Sequence, residues 1–398
     1  MSFFESISQL PEDPIFSIPL LFKSDPRPRK VNLGIGNYRD AEGFSHSLTC
    51  VKKVEREIAE RNDPNEYLPI DGHAEFLKVS QELIFGQALQ LSSNSFFAAQ
   101  SIGGTGALRI GAEFLTQETS KAIFLPNPTW PNHKLVFSRS GMKVHFYRYY
   151  DEASQSLDFV GLRNDISNMP PGSTLLLHVN CHNPTGINPS YEQWKELSAL
   201  IKQQKIIPFF DFAYQGFADN PEKDAEPIRL FVSEGHEMLL AYSFSKNFGL
   251  YSHRLGIFFM TINHKETISK VSSQIKQMIR SSYSNPPKLG ADIVMEILKS
   301  DTLKEEWLKE LANMRDRLIQ MRHALRSGLQ AKASHKDWSF LNRQKGFFSF
   351  CGLDQGQVHR LIKDYAIYLP ANGRINVSGL NPQNIDYVID AIVDVAHS

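Results

Sequence analysis

The chain has 398 residues, enough for two domains or for one large domain with a satellite. Its 43 Lys and Arg balance 43 Asp and Glu, and no basic run marks a nucleic-acid or anionic-membrane surface, so small molecules are the expected partners. Cys50, Cys181 and Cys351 are few, odd in number and widely spaced, which argues against a disulfide framework or a zinc site and for a reducing compartment, the cytoplasm.

Near the N-terminus Glu5 stands where a secretory leader would carry basic residues, and no long apolar core follows, so no leader is expected. The longest apolar stretches, Leu175 to Leu177 and Ile206 to Phe210, fall far short of the roughly 20 residues that a bilayer span requires. Pro11, Pro14, Pro19, Pro26 and Pro28 predict an extended arm over the first 30 or so residues rather than a helix. From Ser95 to about Phe259, β-rich runs alternate with helical patterns: Ala122–Leu125, Lys143–Tyr147, Thr174–Val179, Ile207–Asp211, Met238–Tyr242 and Leu255–Phe259. Alternation of this kind predicts an α/β domain whose mostly parallel sheet is too apolar to leave a face in water.

Thr302-Leu303-Lys304-Glu305 reads as a capping box, and Leu303, Trp307, Leu311, Met314, Leu318, Met321, Leu325 and Leu329 recur at helical spacing behind it. A long helix over residues 302–330 is predicted. Trp338–Phe340, Gly346–Phe350 and Gly373–Val377 then read as strands, and Gln355–Tyr365 and Pro382–Ala396 as helices, which together make a smaller α+β unit.

Five segments carry the chemistry. Gly103-Gly104-Thr105-Gly106 opens a helical pattern in a way that lets backbone N–H groups approach a phosphate, although an ordinary glycine turn has the same composition. Asn127-Pro128-Thr129-Trp130-Pro131-Asn132-His133 and Cys181-His182-Asn183-Pro184-Thr185-Gly186 each follow a strand, where turn residues are common. Asp211 ends the run Ile206–Phe210, and a carboxylate at the C-terminal end of an α/β strand faces the ligand crevice. Lys246, in Ser243-Phe244-Ser245-Lys246-Asn247-Phe248-Gly249-Leu250-Tyr251, comes just after the apolar run Met238–Tyr242. A lysine so placed is either a strand-end surface residue or an amine whose pKa desolvation lowers into the range for Schiff-base chemistry.

Taken in order, these five motifs closely resemble the class I aminotransferases, within them the aspartate and aromatic aminotransferase subgroup, and the resemblance runs from about Pro14 to the C-terminus. The resemblance implies a fold type I pyridoxal-phosphate enzyme: an α/β large domain with a mostly parallel seven-stranded sheet flanked by helices, plus a smaller α+β domain. It implies an N-terminal arm over residues 1–12, a small domain from residues 13–45 and 314–398, and a large domain from 46–313. Lys246 would hold the cofactor as a Schiff base and carry the proton between substrate Cα and cofactor. Asp211, backed by His133, would pair with the pyridine nitrogen; Asn183 and Tyr214 would bond the ring oxygen, and Trp130 would stack on the ring. Gly104, Thr105, Ser243, Ser245 and Arg254 would hold the phosphate, with Tyr67 from a neighbouring subunit. Arg374 would clamp the substrate α-carboxylate, Arg280 of the second subunit would reach the side-chain carboxylate, and Ile35 and Gly36 would close over the substrate.

The resemblance therefore implies a homodimer with shared sites that moves an amino group between aspartate and 2-oxoglutarate by a ping-pong mechanism, with aromatic amino acids as alternative donors. The chain departs from the common pattern at Asn37, Glu66 and Pro69. Two other readings stay open at this level: another pyridoxal-phosphate reaction such as a lyase or decarboxylase, and a non-catalytic sensor that keeps the pocket. The pair Arg280 and Arg374 favours transfer, and no added DNA-binding segment favours the sensor.

Overall fold

The computed structural model describes residues 3–61, 63–88, 95–119, 121–334 and 336–396. The first two residues of the anticipated arm lie outside this set. Contrary to the extended arm predicted for residues 1–30, Ser17–Ser24 is a helix, α1. Pro19 falls in its first turn, where a missing N–H costs nothing, and Ile18 and Phe22 pack on Ala366 and Tyr368.

Seven strands form the central sheet: β1 Ser95–Ile102, β2 Ala122–Asn127, β3 Lys143–Arg148, β4 Thr174–His178, β5 Ile207–Phe212, β6 Met238–Ser243 and β7 Leu255–Ile262. Their spatial order is β1-β7-β6-β5-β4-β2-β3, and only β7 runs antiparallel to its neighbours. Both faces of the interior strands are buried, as their uninterrupted apolar runs require, while edge strand β3 is partly exposed: Leu175, Phe210 and Leu240 enter one core, and their chain neighbours Leu176, Phe209 and Leu239 enter the other. This is the period-2 alternation of a strand covered on both sides. Gly103–Glu118, α2, lies so close to the sheet that a Cβ on Gly111 would come within 2.5 Å of the Phe209 ring. Pro131–Arg139, α3, and Ile268–Ser282, α4, complete that layer.

Beyond the sheet, Asp301–Lys332 is a single helix, α5, of 32 residues. Its cap is Ser300 rather than the Thr302 of the predicted capping box: the Ser300 hydroxyl accepts from Leu303 N at 3.3 Å, which puts Thr302 inside the first turn. The strand predicted at Trp338–Phe340 is instead a 3-10 turn over Ser339–Arg343. Asp337 accepts from Ser339 N at 2.8 Å and the Trp338 indole donates to Ala333 O at 3.2 Å, so local bonds satisfy a backbone that has no partner strand. Phe348–Phe350, β8, pairs antiparallel with Arg374–Asn376, β9, and Val31–Asn32 pairs in parallel with Ile367–Tyr368. Gln355–Tyr365, α6, starts on an Asp354/Gln357 capping box, and Ile385–Ala396, α7, packs on α5. Among the described residues no helix is long and apolar enough to cross a membrane.

Candidate active site

Strand register sets the site. His178 lies opposite Asp211 across β4 and β5, Phe212 opposite Tyr242 across β5 and β6, and Ser243 opposite Gly256 across β6 and β7. The carboxyl ends of these parallel strands thus form one edge, and the loops that leave it carry Asn183, Tyr214, Ser245 and Lys246. A cavity of about 610 Å³ opens there.

The cavity is lined from the sheet side by Gly104, Thr105, Trp130, Asn183, Asp211 and Tyr214, and by Ser243, Ser245, Lys246 and Arg254. From the opposite side come Ile35 and Gly36, and Arg374 from β9. Tyr67 and Arg280 are not brought to it. Tyr67 is 90% exposed, and Arg280, exposed near the end of α4, hydrogen-bonds the Ser284 hydroxyl. Sequence reasoning did not single out His178, Tyr251, Ser45 or Phe348, which also line the cavity. His178 ends the strand beside that of Asp211, so its position at a strand terminus was the available signal.

Each polar side chain has a definite partner. His133 lies fully buried behind Asp211, with Nε2 3.0 Å from Asp211 Oδ2 and Nδ1 2.8 Å from the Thr129 hydroxyl, which in turn lies 3.3 Å from His178 Nε2. Burial alone would raise the pKa of Asp211, but its hydrogen bond to His133, with the positive charge of Lys246 nearby, holds it below the ordinary value. His178 is driven down to about 3 by burial and by the neighbouring His133, so it is neutral at physiological pH. Lys246 sits with its ammonium 5.1 Å from the centre of the Tyr214 ring. Desolvation, helped by Arg254 and Arg374 and opposed by Asp211, pulls its pKa to about 8.

Arg374 is 2% exposed and its pKa is drawn down to about 10 by burial. It donates to Asn183 Oδ1 at 3.1 Å and to Gly34 O at 2.6 Å, and its guanidinium stacks 4.1 Å from the centre of the Phe348 ring. Buried Nε has no partner among the described residues. A guanidinium so fixed is a ready clamp for a carboxylate.

At the other end, Gly103 and Gly104 start α2. Gly103 has φ +67°, and a Cβ there would meet Arg254 Nη2 at 2.5 Å; a Cβ on Gly104 would meet Ser243 Cβ at 3.1 Å. Arg254 itself takes the left-handed conformation at φ 53°, rare for a side-chain-bearing residue. These features leave a concave cradle at a helix N-terminus, rimmed by an arginine and by Ser243 and Ser245, which suits a phosphate.

Both the sequence and the fold have known relatives. The family model for aminotransferase class I and II matches residues 28–392. The aspartate aminotransferase of Salmonella typhi is 45% identical over 394 residues, covering 98% of this chain and 100% of that one. A psychrophilic aromatic amino acid aminotransferase from Psychrobacter, cocrystallised with aspartic acid, superposes with a TM-score of 0.96 at 39% identity and covers 100% of both chains. An aromatic-amino-acid aminotransferase from Burkholderia pseudomallei, covalently bound to pyridoxal phosphate, gives a TM-score of 0.95 at 38% identity over 99% of this chain and 100% of that one.

Proposed function

This chain belongs to the aminotransferase class I and II family, and on that footing we propose that it exchanges the amino group of aspartate with 2-oxoglutarate through Lys246. It is an aminotransferase, and its cofactor is pyridoxal phosphate. The observation that carries the reading is that Lys246, Asp211 and Arg374 line one cavity.

The residues present fit the cofactor. The space left by Gly103 and Gly104 beside Ser243 and Arg254 suits its phosphate, and Asp211, kept ionised by His133, suits a protonated pyridine nitrogen. When bound, pyridoxal phosphate supplies the electron sink for the charge left as substrate Cα loses its proton. Lys246, with its pKa near 8, has an appreciable neutral fraction at physiological pH and is the group to take and return that proton. Trp130, Tyr214 and Asn183 line the cavity and would hold the cofactor's ring, and Asn183 also orients Arg374. Arg374 binds the α-carboxylate of every amino and oxo acid substrate. The two half-reactions then share one site in turn, a ping-pong sequence.

Tyr67 and Arg280 stand away from the cavity of their own chain, which favours a homodimer in which each subunit supplies both residues to its partner. Arg280 would then face the second carboxylate of aspartate. Arg374 would ride on a small domain of residues 13–45 and 314–398 that closes on residues 46–313 and expels water. Three buried, unpaired cysteines suit a reducing compartment, and we assign the enzyme to the cytoplasm.

A second reading, in which aromatic amino acids are the main donors, has its own support: Phe16, Trp130 and Phe348 line the cavity. Half-reactions of the purified holoenzyme with aspartate, glutamate, tyrosine and phenylalanine, followed by the cofactor's absorbance, separate the two. The aspartate reading requires the highest kcat/KM for aspartate or glutamate. Faster tyrosine or phenylalanine would establish the second reading, and no spectral change with any of the four would reject aminotransfer by these residues.

A further inference from the structure

A second polar cavity, of about 200 Å³, lies outside the site just described, between α5 and the segment that leads into β8. Arg322 lines it while only 3% exposed. Its Nε donates to the Ser349 hydroxyl at 3.1 Å, and its Nη2 donates to Gly346 O at 2.5 Å and contacts Phe348 O at 3.4 Å. Among the described residues no carboxylate pairs with this guanidinium, and no hydrogen bond engages its Nη1.

Buried guanidinium groups ordinarily have an anionic partner, because neutral acceptors repay only part of the lost hydration. The rim adds a second cation, the exposed Lys345. The single carboxylate of the lining, Asp219, is already taken by Lys345 Nζ at 2.7 Å. Formal charge around the cavity is thus at least one unit positive, with the Arg322 guanidinium, held by its other nitrogens, in the lining.

We propose that this cavity is an anion site, with Arg322 Nη1 at its base and Lys345 at its rim, sized for a single small oxyanion of the phosphate class. The proposal stands independently of the substrate assignment, since none of these residues lines the catalytic cavity.

The test is calorimetric titration of the holoenzyme with inorganic phosphate at constant ionic strength, chloride being the replaced ion. Saturable binding is expected, and Lys345→Gln should weaken it about tenfold, the loss of one charge-assisted contact. Asp219→Asn, which removes the competing negative charge, should tighten it. Both positions are exposed and should leave the half-reaction rates unchanged, which controls for folding where Arg322→Gln does not fold. Arg374→Ala should bind phosphate as the parent does. Three results would each overturn the site: no saturable heat at millimolar phosphate, undiminished binding in Lys345→Gln, or loss of binding in Arg374→Ala.

Discussion

Arg374 Nη1 donates to Asn183 Oδ1 at 3.1 Å, across 191 residues of sequence, and this bond joins β9 to the loop that follows β4. It orients the planar guanidinium, which Gly34 O and the Phe348 ring hold from two further sides. A lysine cannot satisfy the same three neighbours and also offer two parallel N–H donors to a carboxylate. Arg374→Lys should therefore lower kcat/KM by about 100-fold, the order expected when a buried bidentate charge contact is lost. Because every substrate has an α-carboxylate, the loss should be similar for aspartate and phenylalanine; a loss confined to aspartate would remove the assigned role.

Arg280 gives the opposite pattern. Arg280→Ala should raise KM for aspartate about 10- to 100-fold, the loss of one charged hydrogen-bonding partner, with little change for phenylalanine.

The proposed sharing of sites between two subunits predicts complementation. In a mixed dimer of Arg280→Ala and Lys246→Ala subunits, one site collects both defects and the other is intact. Aspartate activity should reappear on co-refolding two variants that are each impaired alone. Failure to recover activity in a verified heterodimer would place Arg280 outside the partner's site.

The Lys246 amine should titrate near pH 8 in the apoenzyme, well below an ordinary lysine at 10.5. Capture of added pyridoxal phosphate should accordingly quicken as pH rises through 8, because only the neutral amine attacks a carbonyl. Asp211→Asn removes the one nearby charge that favours the ammonium, so the midpoint should move lower. Folding depresses this pKa, so the unfolded chain binds more protons between pH 8 and 10.5, and the contribution of Lys246 to stability rises with pH across that window. Isotope-edited NMR of reductively methylated apoenzyme reads the midpoint directly; a value near 10.5 would contradict the desolvated setting.

Asp224 should govern stability. Its buried carboxylate accepts from Gly216 N at 2.7 Å, Ala218 N at 3.1 Å, Asp219 N at 2.9 Å and Asn180 Nδ2 at 2.7 Å, and Asn180 also donates to Tyr214 O at 3.1 Å. Asp224→Ala leaves these donors without their acceptor and should cost about 3 kcal/mol or more, seen as a fall of several degrees in Tm by calorimetry. An unchanged Tm would show that water replaces the carboxylate.

Six strands of the sheet were legible as β-rich runs, most of them near-continuously apolar because both faces are buried, and α6 because Gln355–Tyr365 reads as a helical stretch. The short elements were not. Whether Ser17–Ser24 or Trp338–Phe340 became helix, turn or strand depended on which surface lay within reach, Tyr368 for the first and Ala333 for the second. Local preference in a segment of so few residues is weak enough for tertiary contacts to override it.

By itself the sequence determined the layered α/β architecture, the family and the chemical kind of each residue at the site, since periodicity and motif order are properties of the chain. Tertiary structure alone decided which of those residues meet. Strand register carried Asp211 and Ser243 to one edge, β8–β9 pairing brought Arg374 to Asn183, and burial beside two arginines moved Lys246 to a reactive pKa. It also left Tyr67 and Arg280 outside their own chain's cavity, and it left Arg322 buried without a counterion among the described residues. Distance and dielectric are set by the packed fold, and no spacing along the chain encodes them.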